Sequence, residues 1–228
     1  MKVFEDASSP ESEEHKLVEL KNFSYRELII KRAIDILGGL AGSVLFLIAA
    51  ALLYVPYKMN SKKDQGPMFY KQKRYGKNSK IFYILKFRTM ILNAEQYLEL
   101  HPEVKAAYHA NGNKLENDPR VTKIGSFIRQ HSIDELPQFI NVLKGDMALV
   151  GPRPILLFEA KEYGKRLPYL LMCKPGITGY WTTHGRSKVF FPQRADLELY
   201  YLQYHGTKND IKLMVLTIVQ SIHGSDAY

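Results

Sequence analysis

The segment richest in reactive side chains is Arg129-Gln-His-Ser-Ile-Asp-Glu-Leu-Pro137. Pro137 loses a hydrogen bond inside a helix but sits comfortably in a first turn, so the helix carrying Leu136, Phe139, Ile140 and Leu143 should start near Ser132–Asp134. Asp134 and Glu135 then stand at a helix N-terminus, where free N–H groups favour negative charge and bind phosphate. Neighbouring helical side chains splay apart, which suits two different jobs better than a shared proton. One carboxylate can attack phosphorus. The other can hold Mg²⁺ together with phosphate oxygens. Arg129 can reach the same spot and keep both acids ionised. The plain alternative is that the pair simply caps the helix, each acid contributing under about 1 kcal/mol.

Gly151-Pro-Arg-Pro154 adds a second candidate. Two prolines stiffen the backbone on either side of Arg153 and present its guanidinium from an extended loop, which suits bidentate phosphate binding; an ordinary loop salt bridge is the other reading. Arg88 stands at a strand end, where it is either a phosphate ligand or a surface charge. Gly176-Ile-Thr-Gly179 and Gly185-Arg186 can bring backbone close to a nucleotide or merely turn. Tyr180 and Trp181 can stack on a base or pack. The seven His residues show no ligand spacing, and no P-loop or GxGxxG is present.

Several elements must position these groups. The chain has 228 residues, with 32 Lys+Arg against 23 Asp+Glu for a net charge of +9, so an anionic partner is favoured. The 46% hydrophobic fraction excludes a polytopic bundle, and 24% charged residues exclude wholesale disorder. Its single cysteine, Cys173, cannot form an internal disulfide, which fits a reducing cytoplasm. Ile36 to Tyr57 is a run of 22 residues without a charge. As a helix it reaches about 33 Å, enough to cross a hydrocarbon core. It starts too deep in the chain, behind an acidic tail, to be a cleavable signal.

Ser24-Tyr-Arg-Glu27 fits a capping box at the start of that helix. Lys31 and Asp35 are spaced to pair at the membrane interface, and Lys31 and Arg32 to meet anionic headgroups. Lys58, Lys62 and Lys63 after the apolar run place the C-terminal bulk in the cytoplasm. Basic residues at both ends of the run hint at a hairpin that returns to the same face. Beyond it, a β-hairpin is predicted from Met68–Gln72 and Lys80–Phe87, then helices over 91–108, 121–129, 132–143 and 210–222. The last has one apolar face that can pack on the domain or lie on the bilayer. Asn111-Gly-Asn113 and Asn117-Asp-Pro119 read as an exposed loop. The expected protein is mostly helical and α+β, with a small β-hairpin sheet and one N-terminal hydrophobic anchor helix, spanning or re-entrant. Its parts are a flexible acidic tail (1–23), an interfacial and membrane helix (24–58) and a cytoplasmic domain (59–228).

Taken in order, the motifs are more specific than any one alone. They run Lys31-Arg-Ala-Ile-Asp35, Lys71-Gln-Lys-Arg-Tyr-Gly-Lys-Asn78, Lys86-Phe-Arg-Thr-Met90 and Asp118-Pro-Arg-Val-Thr-Lys-Ile-Gly125. Asp134-Glu-Leu-Pro-Gln138, Asn141-Val-Leu-Lys-Gly-Asp-Met147, Gly151-Pro-Arg-Pro154, Lys174-Pro-Gly-Ile-Thr-Gly179 and Gly185-Arg-Ser187 follow. From about residue 27 to the end this set resembles the bacterial sugar transferases known as monotopic phosphoglycosyl transferases. These are priming enzymes of capsule, exopolysaccharide and glycoprotein glycan assembly. The resemblance implies transfer of a sugar-1-phosphate from a UDP-sugar to undecaprenyl phosphate, with Mg²⁺ and release of UMP. It makes Asp134 the nucleophile of a phosphosugar-enzyme intermediate and Glu135 the residue assisting the metal. Arg129 and Arg153 correspond to the phosphate-binding arginines, Arg88 lies in the basic-aromatic motif, and Arg186 joins them as a substrate contact. Membrane lipids are implied as partners and nucleic acid is not; a homo-oligomer and the sugar, glucose or galactose as the plain guesses, stay open. One departure concerns the helix: Leu47-Ile48 stand where the family usually carries a Ser-Pro break. A non-catalytic membrane adaptor is the rival reading, under which Asp134 is dispensable.

Overall fold

The computed structural model describes residues 24–59, 66–110, 115, 117–185 and 189–222. The acidic tail, Lys62, Lys63, Asn111 to Asn113, Arg186 and the last six residues lie outside them, so the expectations placed there are not addressed by the structure. The first element, α1 (Tyr25–Met59), is one helix of 35 residues. Its start is the expected capping box: Ser24 Oγ accepts from the Glu27 N–H at 3.2 Å, and the Glu27 carboxylate accepts from the Ser24 N–H at 2.9 Å.

The polar residues that follow are tied to the domain. Lys31 Nζ donates to the Asp210 carboxylate at 2.7 Å and to the Val150 carbonyl at 2.8 Å. Arg32 donates to the carbonyls of Val142 and Leu143 at 2.8 and 2.9 Å. Asp35 accepts from the Leu149 N–H at 2.8 Å. The expected Lys31–Asp35 pair is therefore replaced by longer-range partners. The free carbonyls at a helix C-terminus attract a cation more specifically than a solvated headgroup does.

The glycines of α1 serve close packing. A Cβ on Gly42 would collide with the Phe139 ring, and one on Gly39 would crowd the Leu143 side chain. They let α1 lie directly on α5 (Gln138–Lys144). Farther along, Leu53 and Tyr57 join Phe87 and Ile128 in a small core, with Phe46 packed against it. The rings of Phe46, Phe69 and Phe87 meet at centroid separations of 5.4 to 5.8 Å. Both ends of the apolar run thus touch the same domain without a break in the helix, where a hairpin had been expected to achieve this. The opposite side of α1 stays bare: Leu37, Leu40, Leu47 and Leu52 are each more than half exposed.

The predicted hairpin is β1 (Phe69–Tyr75) and β2 (Ile81–Phe87), antiparallel, with Phe69 opposite Phe87 and Tyr75 opposite Ile81. Its turn uses Asn78 at φ 56° and Ser79 at φ 62°. After α4 (Lys123–Gln130) and α5, two short strands flank the Gly151–Pro154 loop, β3 (Ala148–Val150) and β4 (Ile155–Leu156). β4 adds to the hairpin edge beside β1, and β3 pairs in parallel with β5 (Gly176–Thr178).

The stretch over 91–108 forms two helices, α2 (Ala94–Leu100) and α3 (Pro102–Ala110). Pro102 starts the second because it has no N–H for the first. Asp118, expected in an exposed loop, pairs inward with Arg120 at 2.6 Å. The chain ends in α6 (Ala160–Tyr163), α7 (Leu167–Leu170), α8 (Tyr180–His184), α9 (Gln193–Tyr204) and α10 (Thr207–Ile222). The main core gathers Phe82, Ile84, Val142, Met147, Tyr163 and Tyr201 between sheet and helices.

Candidate active site

The carboxylate pair does not lie in the first turn of α5. It occupies a separate 3₁₀ turn, Ile133–Glu135, opened by Ser132 at φ 54°. Pro137 immediately precedes the first residue of α5 and cannot supply the N–H that would merge turn and helix. The tight turn aims both carboxylates at one cation. Lys86 Nζ, from β2, lies 2.8 Å from Glu135 Oε1 and 3.4 Å from Asp134 Oδ2. Asp134 is buried and Glu135 partly exposed.

This geometry divides the two acids. Burial holds the Asp134 carboxyl above its ordinary range, with Lys86 and Arg129 pulling against it. Burial also pushes Glu135 up, but Lys86, then Arg153 and Arg74, outweigh it and keep the group below the usual range. Two neighbouring acids with opposed shifts are suited to different roles. The capping role is not visible in the bonds: α5 starts after Pro137 without a side-chain cap hydrogen bond, and Ser132 makes none for the 3₁₀ turn.

Around the pair stand the arginines. Arg129, at the end of α4, donates from Nε to Thr89 Oγ1 at 2.8 Å. Arg153 lies between its two prolines, its guanidinium carbon 4.9 Å from the centre of the Trp181 ring. The loop is held by close backbone packing: a Cβ on Gly176 or Gly179 would collide with the backbone of Gly151. These glycines therefore serve the Arg153 loop, and Trp181, buried, packs against its arginine. Tyr180 stacks on His184 at 4.2 Å and 8°. Arg88 is buried and donates to the carbonyls of Pro67 and Met90 at 2.8 and 2.7 Å, while its own carbonyl accepts from the Tyr57 hydroxyl. It braces the strand end against α1. Arg186 lies outside the described residues.

Sequence reasoning passed over three residues here. Lys86 is the lone charge in the strand Ile-Phe-Tyr-Ile-Leu-Lys-Phe, which was a usable signal. Arg74 is buried, donates to the Pro154 carbonyl at 2.8 Å, and has its pKa lowered to about 10 by burial and then by Arg153. Glu198, on α9, accepts from the Arg153 N–H at 2.9 Å, across a separation in sequence that no local pattern reveals.

Asp134 and Glu135 are the two carboxylates that would hold Mg²⁺ here. Among the described residues no cluster of three or more His, Cys, Asp or Glu forms a closed cage. Two carboxylates beside a ring of arginines instead suit an ion that keeps its waters and is shared with substrate phosphates.

Comparison with known proteins finds relatives among sugar transferases. A galactosyl transferase, CpsE, of Streptococcus agalactiae is 42% identical over 212 residues, covering 91% of this chain and 45% of that protein. An undecaprenyl-phosphate galactose phosphotransferase of Salmonella typhimurium is 38% identical over 202 residues, 87% of this chain and 42% of its own. A UDP-glucose:undecaprenyl-phosphate glucose-1-phosphate transferase of Escherichia coli is 35% identical over 208 residues, 88% of this chain and 42% of its own. The chain thus spans a little under half the length of these relatives. The family model described as bacterial sugar transferase matches residues 26–224, from the first turn of α1 to just past the end of α10, and the chain belongs to that family.

Proposed function

We propose that this protein is a priming phosphoglycosyl transferase of exopolysaccharide or capsule synthesis. It moves a hexose-1-phosphate, galactose or glucose, from a UDP-sugar to undecaprenyl phosphate and releases UMP. The observation that carries the reading is the paired approach of Asp134 and Glu135 to Lys86, with their ionisation driven apart. The names of the galactose and glucose phosphotransferase relatives support the substrate classes.

In the first step an Asp134 oxygen attacks the phosphorus that bears the sugar. The bond from that phosphorus to the bridging oxygen breaks, and UMP leaves. In the second step an oxygen of the lipid phosphate attacks the same phosphorus and restores the carboxylate. A carboxyl whose pKa is raised is the more basic nucleophile once ionised. Lys86 withdraws negative charge from the pair before an anionic donor arrives. Arg153 and Arg129 hold phosphate oxygens, Arg153 from a loop that two prolines keep rigid. Glu135, partly exposed, would hold Mg²⁺, which when bound screens the diphosphate charge.

The bare apolar side of α1, which faces away from the domain, supports a placement with the helix embedded and the domain against one leaflet, and the charge distribution supports the cytoplasmic side. A transverse span would force the domain that packs from Lys31 to Tyr57 into hydrocarbon.

The test is UMP release by the purified protein in nanodiscs, with undecaprenyl phosphate, Mg²⁺ and a panel of UDP-sugars. One or a few donors should react, Asp134→Asn should abolish the reaction, and Glu135→Gln should lower it severely. Turnover by Asp134→Asn at the wild-type rate excludes the covalent route, and silence of the folded wild-type protein towards every donor returns weight to an adaptor.

A further inference from the structure

Behind the Arg153 loop lies a buried ionic cluster that the reaction as described does not use. Glu198, 1% exposed on α9, sends one carboxylate oxygen to the Arg153 N–H at 2.9 Å. Its other oxygen, Oε1, is buried without a hydrogen-bond partner. Arg194, one turn earlier on the same helix, is also buried, and its guanidinium carbon lies 4.8 Å from the centre of the Trp181 ring that Arg153 also touches. Arg194 reaches Glu159 at 3.5 Å, while its Nε and Nη2 are buried without partners. A fold does not keep so many underused charged atoms in its interior for stability, because each unpaired one costs free energy. The cluster needs another reason.

The backbone supplies one. Pro152 and Pro154 have no N–H, so the amide of Arg153 is the only donor by which this stretch between the prolines can be gripped. A buried carboxylate is the strongest acceptor available for it. On the far side of the same loop, Arg74 donates to the Pro154 carbonyl at 2.8 Å. The loop is thus clamped at its one donor and at an adjacent acceptor by two buried charges of opposite sign.

We propose that Glu198 is a positioning residue for phosphoryl transfer: by gripping the Arg153 amide it fixes the direction in which the Arg153 guanidinium meets the donor phosphate. Trp181 completes the arrangement as the surface against which both Arg153 and Arg194 lie. This inference rests on the donor-phosphate role of Arg153 proposed above.

Two measurements test it, one independent of activity. The first is hydrogen exchange of the full chain in nanodiscs, followed at the Arg153 amide. Glu198→Ala should speed exchange there at least tenfold, and Glu198→Gln by a smaller factor since a neutral acceptor is weaker. The β1–β2 hairpin should exchange as in wild type, showing that the fold persists. Unchanged exchange at Arg153 in both variants overturns the proposal. The second is a double-mutant cycle on kcat/KM with the best UDP-sugar, pairing Glu198→Gln with Arg153→Lys. If Glu198 acts through Arg153, the double variant should fall no further than the worse single one; losses that multiply overturn the proposal. A wild-type protein silent towards every donor strikes the functional reading instead, and the exchange measurement still decides whether Glu198 holds the loop.

Discussion

Lys86 carries the largest electrostatic share at the residue scale. It is the foremost attraction opposing burial at Asp134 and the first of those lowering Glu135. Lys86→Met should therefore raise the Asp134 pKa further and move the acid limb of the pH–rate profile to higher pH, which rates across a pH series will show. Glu198 makes a separate prediction for stability. Burial lifts its carboxyl from the usual 4.5 to about 7, so the folded chain binds a proton that the unfolded chain has lost between those values. Stability from this group then falls as pH rises through that window and levels off above it. Unfolding curves at a series of pH values should show Glu198→Gln gaining on wild type from pH 4.5 to about 7 and no further. Arg153 could be singled out in the sequence because two prolines frame it, and Asp134, Glu135 and Arg129 by their place before Pro137 together with the family resemblance. Arg74 and Glu198 could not, since a buried arginine in a strand and a helical glutamate look like surface charges until the fold turns them inward.

Among the elements, those with strong local signals were legible. The capping box, the hairpin and the apolar periodicity of α10 appear close to where the sequence puts them. The turn that bears the catalytic candidates was read as part of a helix, because proline near a helix start does not reveal whether it begins the helix or divides it from a preceding 3₁₀ turn. β3, β4 and β5 were invisible for a different reason. Two or three residues are too few for alternation, and their pairing joins distant segments. The glycine contact between β5 and the Arg153 loop leaves no room for a side chain. Gly176→Ala should lower stability by roughly 1–3 kcal/mol through overpacking, read as a lower thermal midpoint, and should weaken donor binding with it.

Over the whole molecule, α1 is part of the core and, in the placement proposed above, the membrane anchor. Gly39 and Gly42 seat it on α5, Lys31 and Arg32 fasten its start, and Leu53 and Tyr57 fasten its end. Hydrophobicity announced a membrane helix, but composition alone could not tell that the domain would lie along it. Gly42→Leu should separate α1 from α5 and reduce the yield of folded protein in detergent, which size-exclusion profiles will report. In that placement the partnership would also couple lipid to chemistry. The Tyr57 hydroxyl holds the Arg88 carbonyl, and Lys86 is two residues up the same chain. A helix pressed deeper or lifted by its bilayer therefore pulls on the strand that neutralises the reactive pair. Reconstituted in membranes of shorter or longer acyl chains, the protein should turn over at different rates with the same donor, acting as a gauge of membrane thickness. Tyr57→Phe, which unhooks the helix from that strand, should flatten the dependence.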